Sequence, residues 1–138
     1  MSRLSFYVAG PMTGYKDFNY QMFDEVSWVA KAHQWKWNGV PIDVASPTSV
    51  DRALKLKISE DNIGEYTIGL IHLNTASVTV CDGIILLPNW YNSKGTIHEL
   101  SIMIRKGGYL SEYDPKTKSI FEIKPRNCWE RLWSLSDI

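Results

Sequence analysis

The chain opens with an apolar, β-rich run from Leu4 to Gly10, stopped by Gly10-Pro11, and this pattern predicts a buried strand. Apolar positions then recur at helical spacing through Met22, Phe23, Val26, Val29 and Ala30, so residues 19–34 read as an amphipathic helix with Asn19 as its N-cap. A short strand over 38–43 follows a turn, and residues 45–58, with Pro47 and several lysines, read as an irregular loop. A further helix is expected over 60–76, weakened by Gly64 and Gly69. The run Val-Thr-Val-Cys-Asp-Gly-Ile-Ile-Leu-Leu, residues 78–87, is the expected central strand, with a helix over 95–106 behind it. Between 107 and 124 two alternating runs flank Asp114-Pro115-Lys116-Thr117, which predicts a hairpin, and a short aromatic helix over 126–133 follows.

Strands alternating with helices imply parallel βαβ units with right-handed crossovers and helices on both faces of the sheet. The expected class is α/β with a mostly parallel sheet, a C-terminal β-hairpin and a short helix, in one domain spanning residues 1–138. Ligands of such sheets bind beyond the carboxyl ends of the strands. Two stretches fall there, "AGPMTG" (9–14) and "LPNWYNSKG" (87–95), and both are expected to face one pocket.

Charge narrows the partners. Lysine plus arginine equals aspartate plus glutamate at 15 each, which gives no net field for nucleic acid or an anionic membrane. The apolar runs fall short of the roughly 20 residues that a membrane span requires. The first ten residues read as a strand with no cleavage site, and Cys81 and Cys128 form no disulfide framework, which fits a reduced, cytoplasmic protein. His33 and His72 lack metal-like spacing to each other or to cysteine, so neither a metal nor a cofactor is expected.

Ser93, Lys94 and Gly95 stand where a helix opens, with free N–H groups and the positive end of the helix dipole directed outward, an arrangement that suits an anion. Gly95 lets a ligand approach the backbone, and Glu99, four residues on, shares its helix face and leans back toward it across roughly 6 Å of axis. A carboxylate held against a sugar carbon is a glycosidic nucleophile. The same spacing also fits a serine cap followed by a solvated acid, and spacing alone leaves both open. Trp90 and Tyr91, at a strand's carboxyl end, suit either base stacking or simple packing.

"FYVAGPMTG" together with "CDGIILLPNWYNSKGTIHEL" resembles the nucleoside 2-deoxyribosyltransferase-like superfamily, across about residues 4–108; the nearest likenesses are small bacterial and phage members and the deoxynucleoside monophosphate N-hydrolases. The resemblance implies a flavodoxin-like three-layer sandwich, cleavage of an N-glycosidic bond, and a homodimer or larger homo-oligomer whose partner chain completes the pocket. It assigns the nucleophile to Glu99 and the tyrosine that orients it to Tyr7. It also marks Gly10, Pro11, Met12, Asn19, Trp90, Ser93 and Gly95 as substrate contacts. Nucleoside-processing relatives carry an aspartate where this chain has Ser93; a serine can donate to a 5′-phosphate that an aspartate would repel, so a nucleoside 5′-monophosphate is the expected substrate. Asn74, on an ungapped placement, replaces a base-contacting aspartate and can hydrogen-bond a base without protonating it.

Overall fold

The computed structural model describes residues 3–12, 14–47 and 76–136. Six strands form one sheet: β1 (Leu4–Ala9), β2 (Lys36–Trp37), β3 (Val40–Ala45), β4 (Gly83–Leu86), β5 (Tyr109–Asp114) and β6 (Ser119–Glu122), in the order β2-β3-β1-β4-β5-β6. Three longer helices accompany them, α1 (Tyr20–Ala32), α2 (Lys94–Arg105) and α3 (Pro125–Ser136). The predicted loop beyond residue 47, the predicted helix over 60–76 except for its last residue, and Asn74 lie outside the described residues.

β1 sits between β3 and β4, parallel to both, and β4 is also parallel to β5. The edges differ: β2 pairs antiparallel with β3, and β6 antiparallel with β5. The sheet is therefore mixed, where strand–helix alternation predicted a mostly parallel one. The cause at one edge is local. Asn38 and Gly39 adopt φ of 48° and 83°, the positive pair that a two-residue hairpin turn requires, so the expected strand over 38–43 is instead a hairpin whose second arm is β3. The other edge is the predicted hairpin, in which the Asp114 carboxylate accepts from the Lys116 amide at 2.9 Å across the turn.

Side chains alternate across the central strands and build one core on each face. Phe6 and Val8 of β1, with Ile85 of β4, meet Phe23 and Val26 of α1. Tyr7 and Ala9, with Ile84 and Leu86, meet Leu100 and Met103 of α2 and Cys128 of α3. All four residues of β4 are buried, which explains why it reads as an uninterrupted apolar run rather than an alternating one. Gly83 allows this packing, because a Cβ there would stand 2.5 Å from the Phe6 ring.

The central strand is shorter than its sequence suggests. Residues 76–80 are helical and β4 begins only at Gly83, although Val78-Thr79-Val80 has strong strand preference. Tertiary contacts override that preference. Val78 is fully buried and Val80 is 79% exposed, and the Lys106 ammonium donates to the carbonyls of Thr79, at 2.7 Å, and of Cys81, which satisfies the helix end. Asp82 then joins the sheet: its carboxylate accepts from the Ser5 amide at 2.8 Å, while its own amide donates to the Ser5 carbonyl at 2.7 Å.

Candidate active site

β1 and β4 are adjacent and parallel, so the loops that leave their carboxyl ends emerge side by side. The loop after β4 passes through a short turn, Trp90–Asn92, and enters α2. Ser93 is the N-cap of α2: its Oγ accepts from the Thr96 amide at 3.2 Å and from the Thr96 hydroxyl at 3.0 Å. With two bonds accepted, the hydrogen-bonding capacity left to Ser93 is its own proton. Gly95 is exposed, and a Cβ there would meet nothing nearer than Ser93 Oγ at 4.0 Å, so the first turn of α2 is open to approach.

The buried stripe of α2 is Thr96, Leu100 and Met103. Glu99 borders that stripe, one turn below the helix mouth; it is partly exposed, and its carboxyl lies beside Tyr7 of β1. There it meets the hydroxyl of Tyr7, whose side chain is fully buried. Burial pushes the Glu99 carboxyl up to about 7, and the Tyr7 hydroxyl, hydrogen-bonding to the charged form, pulls in the opposite direction. A carboxyl poised there is half ionised near neutrality, the range suited to nucleophilic or acid–base work. The pair expected from sequence, Glu99 and Tyr7, is thus brought together, with Ser93 and Gly95 one turn above it.

The other expected contacts are placed differently. Trp90 is 2% exposed, packs in the core beside Leu100 and Met103, and donates its indole N–H to Glu112 at 2.9 Å, so its ring is a packing element and not a surface for a base. Tyr91, beside it, remains partly exposed. Gly10 is buried and fits against Leu87, where a Cβ would stand 2.6 Å away; its smallness serves the packing of the two loops. Pro11 is buried and Met12 packs against the α1-side core. Asn19 stands at the N-cap position of α1 with φ 64° and caps nothing through its side chain; its amide donates instead to the Pro11 carbonyl at 3.0 Å and so ties down the loop after β1. His98 is exposed.

Thr96 was not anticipated. The signal was the serine-x-x-threonine spacing across the helix start, where the third residue of a helix meets its cap. A groove of about 450 Å³, lined by Arg3, Lys31, Trp35 and Asp43 among others, lies between α1 and β3 and contains none of the site residues. Among the described residues no group of histidine, cysteine, aspartate and glutamate is arranged to hold a metal, and no helix is long and apolar enough to cross a membrane.

Residues 4–109 match the family described as a domain of unknown function (DUF4406). The chain belongs to this family. The solved structures that share its fold include two with TM-scores just above 0.5. One is a 2-desoxiribosyltransferase from Leishmania mexicana, 18% identical at a TM-score of 0.53 over 80% of this chain; the chain spans 63% of that protein's length. The other is a conserved protein from Enterococcus faecalis V583, 17% identical at a TM-score of 0.54, with 99% of this chain and 77% of that one covered. Among curated proteins none matches the chain.

Proposed function

We propose that this protein is a hydrolase of the N-glycosidic bond of deoxynucleoside 5′-monophosphates. The observation that carries the reading is Glu99: an inward-facing carboxyl held near neutrality by burial, beside a buried tyrosine hydroxyl and one turn below an open helix mouth. The Glu99 carboxylate attacks C1′ of the sugar, the C1′–N bond breaks with its electrons leaving on the base, and water then hydrolyses the glycosyl ester to deoxyribose 5-phosphate. Tyr7 holds the carboxylate in line. Ser93 donates its remaining proton to the phosphate, assisted by the free amides of the first turn. Asn74 meets the base as a hydrogen-bonding partner, and the base takes its proton from water.

The parallel core, β3-β1-β4-β5, suits the flavodoxin-like sandwich in which such a pocket lies beyond the strand ends. A cytoplasmic homodimer or higher homo-oligomer belongs to the same reading. Base exchange is the second reading, favoured by the likeness to the Leishmania mexicana transferase; in it a second nucleobase replaces water.

The test is to incubate the protein with a panel of deoxynucleoside monophosphates and their nucleosides and measure free base across pH. With Glu99 at about 7 and the ionised form active, kcat/KM is expected to fall about tenfold per pH unit below that value and to level above it. Release of base only when a second nucleobase is added would select the exchange reading; no release under either condition would leave a nucleotide-binding protein.

A further inference from the structure

The family match ends at Tyr109, yet the segment beyond it grips the turn that leads into the site. Two side chains do so. Glu112 on β5 accepts the Trp90 indole N–H at 2.9 Å, and Arg131 on α3 places its guanidinium 4.9 Å from the centre of the Tyr91 ring. The two aromatic rings are themselves in edge contact, 5.6 Å apart at 76°. Cys128 of α3 is buried in the same core cluster as Trp90 and Leu100, with Leu132 packed against it, so α3 is docked on this part of the molecule through its apolar face. Glu112 lies at that junction: after burial, its charge is the next influence raising the Cys128 thiol to about 11.

The turn transmits position directly. The Ser93 amide donates to the Trp90 carbonyl at 3.1 Å, and the Asn92 amide to the Asn89 carbonyl at 3.0 Å, so Trp90 and Ser93 are linked by backbone within three residues. The backbone position of Trp90 is therefore tied to that of Ser93, the N-cap of α2. Glu99, in contrast, is anchored from the other side by Tyr7 and the core stripe of its helix.

We propose that Glu112 and Arg131 are positioning residues: from outside the family's boundary they hold the Trp90–Asn92 turn and so set where the mouth of α2 stands relative to Glu99. This rests on the reading of that mouth as the phosphate subsite. Neither residue touches the reacting atoms. Their effect is on the phosphate end of the substrate, and a nucleoside, which lacks that end, is far less sensitive to them.

The experiment compares wild type with Glu112→Leu, Glu112→Gln, Arg131→Leu and Arg131→Lys. It measures by calorimetry the affinity for one deoxynucleoside monophosphate and for its nucleoside, and follows exchange of the Trp90 indole proton by NMR. Glu112→Leu and Arg131→Leu are expected to weaken the monophosphate about tenfold, to change nucleoside binding less than about threefold and to speed exchange of the indole proton. Glu112→Gln, which keeps an oxygen acceptor, restores both signals to near wild type; Arg131→Lys, which keeps the charge but not the guanidinium over the Tyr91 ring, restores them only in part. An unchanged ratio of monophosphate to nucleoside affinity in both leucine variants overturns the proposal. Arg131 is exposed, so its variants decide the matter even where Glu112→Leu fails to fold. A wild type that does not prefer the monophosphate instead removes the phosphate reading, and the indole proton then decides: exchange no faster in the leucine variants overturns the positioning role.

Discussion

Replacement of Glu99 by glutamine is expected to lower base release from a deoxynucleoside monophosphate by at least about a thousandfold, while nucleotide affinity stays within about tenfold of wild type. The amide keeps the size of the side chain and can still accept from Tyr7, so the pocket keeps its shape. It has no anionic oxygen to attack C1′, and it does not titrate, so any residual activity should lose the acid limb that a carboxyl at about 7 imposes. Single-turnover release of free base, measured beside calorimetric binding, separates the two effects. A variant with wild-type turnover would remove Glu99 from the mechanism, and an equal loss of affinity and turnover would make it a binding residue.

The second large effect is expected at Ser93. An aspartate there can still accept from the Thr96 amide and hydroxyl, so the start of α2 survives the change. What it loses is the donated proton, and what it adds is a negative charge against a dianionic phosphate. Ser93→Asp should therefore reduce kcat/KM for the monophosphate by about a hundredfold and leave or improve that for the nucleoside, so that the preference reverses. The comparison needs one nucleotide–nucleoside pair on both proteins. Equal kcat/KM for the pair on the wild type would return the chain to nucleoside-processing chemistry.

Elements whose signals are local were legible in the sequence. The stripe of Phe23, Val26, Val29 and Ala30 is the buried face of α1, and Asp114 makes the turn that its position announced. The spacing of Glu99 to Gly95 left a solvated acid and a site carboxylate both open, and only the family resemblance singled Glu99 out. What escaped depends on distant partners. Val78-Thr79-Val80 is helical with Val78 packed in the core and with Lys106, far along the chain, donating to the carbonyls of Thr79 and Cys81. Which of two neighbouring aromatics is buried is settled by Glu112, 22 residues after Trp90, and no periodicity reports that. The Asn38-Gly39 turn was readable as a hairpin, since the pair sits between Trp37 and Val40, but a first arm of only two residues gives too short an alternation to be seen.

The inward placement of Glu99 also bears on how firmly the chain stays folded. A carboxyl that titrates at about 7 in the native protein and near 4.5 once unfolded leaves the native state with more bound protons between those two values. Unfolding free energy must then fall as pH rises through that window, by about 3 kcal/mol from this group, and level off above it. The ionised state that the proposed attack on a sugar requires is thus the state in which this side chain most opposes folding. Thermal stability of wild type should drop from pH 5 to pH 8 more steeply than that of Glu99→Gln, so the same substitution that silences the chemistry steadies the fold at alkaline pH.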